Sequence, residues 1–346
     1  MDLGEGGQAC GLTNGKMEYQ TMSPNNTATR AGNIVHNQDK FEIEGSKVEF
    51  ASCGTILRGL FLTPKEKREA LPTIVMAPGM SGVKEGSIMK YAEYFARGGF
   101  AVLAYDNINF GESGGEPRQE VDPALQRRGY RDAITYVSSR PEVDKTRIGI
   151  FGTSYSGGHV LEVAAHDRRV KCVVSQIPAI SGFKAFQRLP RPAQAAALKA
   201  QDEDREARYL GKPPKTLKAV SDDPTELCAM PGLAAYDYFM EQQRIAPNWK
   251  NSLTLRSMDL YRSVENSVFT PWISPTPLLM IVALEDDLAW PDLALDAYNQ
   301  AKEPKKLVML PGNHFCPYEA EFSLTGNEAR DWFTRHLVVG GSVALN

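Results

Sequence analysis

The chain has 346 residues, 42% of them apolar and 23% charged, a balance that supports a sizeable buried core and excludes a disordered polypeptide. With 39 basic against 42 acidic side chains the formal net charge is −3, which argues against nucleic acid or a membrane surface as a partner. Five cysteines, odd in number and widely spaced, fit neither a disulfide framework nor a structural zinc site and point to reduced thiols in the cytoplasm.

Residues 1–38 are rich in Gly, Asn, Thr and Ser without apolar period and read as a flexible arm, lacking the basic and apolar regions of a secretory signal. Strand and helix text then alternates. Residues 46–52 and 56–64 read as paired strands, 72–79 as a short apolar strand ending in Pro-Gly, and 84–100 as a helix with Ile88, Tyr91, Tyr94 and Phe95 on one face. A strand over 100–107, a helix over 123–143 weakened by Gly129, a strand over 147–152, a helix from Ser154 and a strand from Val170 follow. After an interruption come a strand at 277–287, a helix at 291–302, a strand at 305–312 and a terminal helix at 327–337. The longest apolar run, Leu278 to Leu284, is far too short to span a bilayer. Repeated strand–helix–strand units predict a mostly parallel sheet with helices on both faces, the core occupying residues 39–178 and 275–346.

The interruption, residues 179–274, is too long for a loop and reads as a helical cap: a charged helix over 194–210, a Pro-rich break, and helices over 232–244 and 252–265. The charge run reads as a solvated face. Leu233, Tyr236, Phe239 and Met240 form an apolar stripe whose plain reading is packing of cap on core. The second reading is an acyl tunnel in which Tyr236, Phe239 and Met240 touch substrate.

Chemistry concentrates at Gly152-Thr153-Ser154-Tyr155-Ser156-Gly157-Gly158, where an apolar strand runs through small-x-Ser-x-small directly into a helix. A nucleophilic serine on so sharp a turn needs small neighbours two residues before and after it. Ser156 can also be centred in the pattern; Ser154 is favoured because it follows the strand's last apolar pair directly. No phosphate-binding Gly-Lys-Ser/Thr or G-x-G-x-x-G is present.

A serine nucleophile needs a base. His36 lies in the arm, His159 and His166 on the helix leading away from the turn, and His336 beside Arg335 in the terminal helix, where it reads as solvent-facing. His314, in a Gly turn after the last strand, sits where parallel sheets place their chemistry. The acid is expected among Glu285, Asp286 and Asp287 after the preceding strand; spacing does not separate Asp286 from Asp287. An oxyanion hole needs N–H groups from the residue after the nucleophile, Tyr155, and from the loop at 77–82, assigned to Met80.

With these residues in place the chain resembles the α/β-hydrolase superfamily over residues 40–340. AYDNINFGESGGEPR looks like its D-x-R-G-x-G-x-S-x-G segment, with Ile108-Asn109 replacing Arg-Gly. More closely, GTSYSGGHVL, DRRVKCVVSQIPAISG, SPTPLLMIVALEDD and LPGNHFCPYE resemble the fungal polyketide-transferase and hydrolase family of secondary-metabolite clusters. That resemblance places the acid at Asp286 and the base at His314. It implies a cytoplasmic enzyme that cleaves or transfers polyketide acyl groups held as esters or thioesters, the small-molecule acyl substrate carried on a polyketide synthase, with no cofactor or metal. A non-catalytic binding protein on the same fold, and a C–C bond hydrolase or cyclase, are the alternatives.

Overall fold

A computed structural model describes residues 41–66 and 69–339; the arm expected over residues 1–38 lies outside them. Strands β1 (Ile43–Ser52) and β2 (Thr55–Pro64) form the expected pair, and it is antiparallel, Ile43 opposite Pro64 and Ser52 opposite Thr55. Elements β3 (Leu71–Ala77), α1 (Ser87–Arg97), β4 (Ala101–Tyr105), α2 (Pro123–Ser138), β5 (Val143–Thr153), α3 (Tyr155–His166) and β6 (Val170–Gln176) follow in alternation. Residues 74–77, 101–105 and 148–153 are buried throughout, as strands covered on both faces require. Helix α2 starts on Asp122, whose carboxylate accepts from the N–H groups of Ala124 and Leu125. It runs unbroken through Gly129, where a methyl group would stand 3.3 Å from Leu57 Cδ1. The glycine costs about 1 kcal/mol in helix propensity and lets α2 pack close to β2.

Between β6 and the next sheet strand lies the insertion: α4 (Gly182–Gln187), α5 (Arg191–Tyr209), β7 (Thr216–Leu217), α6 (Leu233–Ile245), β8 (Leu253–Thr254) and α7 (Leu255–Arg262). The antiparallel β7–β8 ribbon takes Leu253 and Thr254 from the start of the helix expected there. The charged helix α5 is mostly exposed, but Asp204 is buried, accepting from Lys215 N–H at 2.7 Å and Arg208 Nε at 2.8 Å. Polar ties bind the insertion to the sheet's loops: Thr254 N–H donates to Gln119 O (3.0 Å), Val121 N–H to Ser257 Oγ (2.9 Å) and Trp249 Nε1 to Ser81 Oγ (3.3 Å).

Strands β9 (Leu278–Ala283) and β10 (Lys305–Leu310), with α8 (Pro291–Gln300) and α9 (Phe322–Phe333), complete the domain. The eight-stranded sheet runs β1-β2-β4-β3-β5-β6-β9-β10, parallel from β4 to β10. Tyr91, Phe95 and Phe333 of α1 and α9 pack in one buried layer, and Tyr130, Val160 and Leu293 of α2, α3 and α8 in the other. The chain after α9 continues as a π-helical turn, Thr334–Val339, and His336 is a correction to the expectation of a solvent-facing ring. It is half-buried with its ring 4.3 Å from that of Trp332, because residues four apart share one helical face. Among the described residues no helix is long and apolar enough to cross a membrane.

Candidate active site

The turn between β5 and α3 forces Ser154 to φ 57° and ψ −122°, a conformation costing about 1–3 kcal/mol that the surrounding structure must hold. Tight backbone packing does so. A methyl group at Gly152 would stand 2.2 Å from Ser156 O, and one at Gly158 2.2 Å from Ala179 O, so neither position tolerates a side chain. Ser154 N–H donates to Gln176 O (2.9 Å), and Ser154 O accepts from Ala179 N–H (3.0 Å). Ser156, the competing serine, is completely buried and committed to backbone: its Oγ accepts from Thr153 N–H at 3.0 Å and lies 2.8 Å from Ala77 O.

Loops from the carboxyl ends of β9 and β10 bring the other expected groups to Ser154. His314 Nε2 is 2.9 Å from Ser154 Oγ, and His314 Nδ1 is 2.7 Å from Asp286 Oδ2. Asp286 Oδ1 accepts from Leu288 N–H (2.9 Å) and Ala289 N–H (2.8 Å), which fixes the plane of the carboxylate. Burial pushes the Asp286 carboxyl up, but the charge and hydrogen bond of His314 and the two N–H donors outweigh it and hold it below the ordinary carboxylate value. Asp286 and His314 are buried, whereas Glu285 and Asp287 are exposed. Of the two carboxylates that spacing leaves open, Asp286 is the one hydrogen-bonded to His314.

Tyr155 is the first residue of α3, where an N–H has no intrahelical acceptor, and Met80 lines the same cleft as Ser154 and His314. The β3 loop touches the serine: a methyl group at Gly79 would lie 3.1 Å from Ser154 Cβ. What pins this loop is a cluster that sequence reading passes over. Lys84 Nζ sits 2.6 Å from Glu85, 2.8 Å from Asp106 and 2.7 Å from Glu112, and Lys84 N–H donates to Asp106 Oδ1 at 2.7 Å. Burial lowers the ammonium's affinity for its proton, but Asp106, Glu112 and Glu85 outweigh burial and raise its pKa. The three carboxylates lie close enough together to hold a cation, and Lys84 supplies that charge. The Asp of the AYDN text was the available signal.

The loop bearing His314 is tied to the nucleophile turn from behind. Tyr318 OH and Thr153 Oγ1 share a hydrogen bond of 2.6 Å, and Gln176 Nε2 donates to Thr153 Oγ1 at 3.1 Å. Above the site, Tyr238 stacks on Phe315 with centroids 4.4 Å apart, and Phe239 stacks on Trp249 at 5.2 Å. Together they wall a narrow cleft above the serine that is partly open to solvent.

Of the three residues expected to touch substrate, Phe239 lines this cleft, while Tyr236 and Met240 are half-buried against the core away from its lining. At about 100° per residue, Tyr238, Phe239, Gln242 and Ala246 fall on one arc of α6 and Leu233, Tyr236 and Met240 on another. On the second arc Leu233, at the start of the helix, is 63% exposed, while Tyr236 and Met240 pack against the core outside the cleft. Tyr238 and Gln242 are therefore the cleft residues that the apolar stripe misses, and helical spacing from Phe239 is the signal that finds them.

Two imidazoles outside this constellation resist protonation. His159 is completely buried, its ring edge-on to Tyr155 at 4.4 Å and its Nε2 3.1 Å from Gln126 Oε1. Burial, then the charge of Arg127, holds its pKa well below the ordinary histidine value; burial and Arg335 lower that of His336. The unfolded chain therefore binds more protons than the native one once pH falls below about 6.5. The stability these groups contribute is present above that pH and lost on acidification. Thermal melts should show Tm falling from pH 7 to pH 5, and His159→Phe, which keeps a ring against Tyr155, should remove much of that slope. An unchanged slope in the variant would assign the acid sensitivity elsewhere.

With this geometry in hand, comparison with known proteins gives concordant matches. The family model of X-Pro dipeptidyl-peptidase (S15 family) matches residues 54–316. A thiohydrolase of Eupenicillium brefeldianum is 32% identical over 77% of this chain and 85% of its own length, and the polyketide transferase claH of Penicillium crustosum is 30% identical over 78% and 90%. Among solved structures, the α/β hydrolase GrgF from Penicillium sp. sh18 superposes with TM-score 0.74 at 26% identity, covering 85% of this chain and 99% of that one. DcsB, solved in complex with its substrate analogue, gives TM-score 0.76 at 27% identity over 85% and 99%.

Proposed function

We propose, from the premise that the chain belongs to the S15-type α/β-hydrolase family that includes the fungal thiohydrolases and polyketide transferases, that it is a cytoplasmic serine hydrolase or acyltransferase. Its substrate is a polyketide-derived acyl group held as an ester or as a thioester on a synthase carrier. The observation that supports this reading is the unbroken hydrogen-bond chain from Asp286 through His314 to Ser154.

His314 Nε2 takes the Ser154 proton as Oγ attacks the acyl carbonyl. The oxyanion is met by the N–H groups of Tyr155 and Met80, fixed dipoles that need no reorganisation as charge develops. The carbonyl re-forms, the C–S or C–O bond breaks, and His314 returns its proton to the leaving thiol or alcohol. Asp286 holds the imidazole in the tautomer with Nδ1 protonated and stabilises the imidazolium. Water or a second nucleophile then enters by the same path in reverse. Which of them enters is set above the serine, where Tyr238, Phe239 and Trp249 of the insertion restrict bulk solvent.

Incubation with acyl N-acetylcysteamine thioesters followed by intact-protein mass spectrometry tests the reading. Wild-type protein should gain the mass of one acyl group, mapped to Ser154, and should react with a small fluorophosphonate at the same residue. Binding of acyl compounds without any covalent adduct or turnover would favour the non-catalytic reading of the fold.

A further inference from the structure

The cleft above Ser154 is walled by flat side chains, Tyr238, Phe239, Trp249, Phe315 and Tyr318, and two polar atoms of its α6 residues, Tyr238 OH and Gln242 Oε1, are unspent; of these the amide oxygen can only accept. Gln242 lines the cleft from α6, and its Oε1 is shielded from solvent with no hydrogen-bond partner among the described residues. It reaches the Gly86 corner, where a methyl group would stand 3.4 Å from it. Other polar groups nearby are engaged: Ser154 with His314, Thr153 with Tyr318 and Gln176, and the Trp249 indole with Ser81. A buried acceptor left unpaired is costly, and a ligand that supplies a donor relieves it.

Building on the acyl-transfer reading of this site, we propose that Gln242 determines acyl specificity: its amide accepts a hydrogen bond from a hydroxyl carried on the acyl chain. The preferred substrate is accordingly a hydroxyacyl ester or thioester rather than a plain saturated acyl group of the same length. The aromatic walls contribute apolar contact that both chains share. Discrimination comes from the donor, because a site built to pair a hydroxyl rejects the analogue that leaves its own polar group unsatisfied.

The test is a matched series of N-acetylcysteamine thioesters, each hydroxyacyl chain beside its deoxy counterpart, with the hydroxyl moved along the chain. In wild-type protein at least one position should raise kcat/KM by about 10- to 100-fold over the deoxy partner. Gln242→Leu should collapse that ratio towards one, and Gln242→Glu, which keeps an acceptor, should retain much of it; thermal melts report that both variants fold. Turnover of the series by wild-type protein with no preference at any position, or a preference that survives in Gln242→Leu, would overturn the assignment. Failure of the wild type to label with fluorophosphonate or turn over any thioester would overturn the acyl-transfer reading itself, and this inference with it.

Discussion

Ser154→Ala should lower kcat by about 10⁶-fold while leaving the melting temperature equal to or above that of the wild type. The loss is large because no second group can take over the attack. Ser156, two residues on, is sealed under Ala77 and Thr153, with no exposure through which a carbonyl could reach it. The stability half follows from the backbone: alanine at φ 57° is no worse placed than serine, and no buried partner depends on the lost hydroxyl except His314. Ser156→Ala should do the opposite. It leaves Thr153 N–H without its acceptor in a fully enclosed position, at a cost of about 1–3 kcal/mol, and shows as a lowered Tm with turnover reduced only as far as the turn loosens. Steady-state kinetics and melts of the two variants decide the matter; substantial activity in Ser154→Ala, lost in Ser156→Ala, would reverse the assignment of nucleophile.

Asp286→Asn should cost about 10⁴-fold in kcat, the size seen when a triad carboxylate becomes an amide. Leu288 and Ala289 N–H groups hold Oδ1, so the amide would keep its oxygen there and turn its NH₂ towards His314 Nδ1. The imidazole would then accept at Nδ1 and carry its proton on Nε2, the atom that must take the Ser154 proton. Asp287→Asn removes a charge from an exposed side chain and should change kcat by less than about threefold, the scale of a solvent-screened surface charge. Because the Asp286 carboxyl is held below the ordinary carboxylate value by His314 and two N–H donors, it stays ionised between pH 5 and 7 and accounts for none of a loss of activity there. Equal losses in the two asparagine variants at matched Tm would remove the distinction between them.

Much of this arrangement is legible in the sequence because parallel strands leave apolar runs, and four of the six runs here lead into a residue of the candidate site. Ala77 leads to Met80, Thr153 to Ser154, Ala283 to Asp286 and Leu310 to His314. The insertion is less legible, for a physical reason. Its helices bury few residues each, so hydropathy does not identify the inward face, and Leu233 and Met240 draw attention to an arc of α6 that faces away from the cleft. The two-residue strands β7 and β8 are set by contacts across more than thirty residues, beyond any local period. The Lys84 cluster is hidden differently: Glu85, Asp106 and Glu112 are separate in sequence, and only the fold brings them around one ammonium.

The stacking of Trp249 on Phe239 makes the native protein its own optical reporter. Of the four tryptophans, Trp249 alone lines the cleft; it is 2% exposed, whereas Trp272 is 63% exposed and already emits as a solvated indole. Movement of the segment carrying Trp249 away from the Ser81 loop would wet that ring and break its hydrogen bond to Ser81, shifting its emission to the red; an acyl chain seated against it would shift emission to the blue or quench it. In a Trp272→Phe background, stopped-flow fluorescence would separate filling of the cleft, acylation and release in time, without a chromogenic substrate or an attached dye.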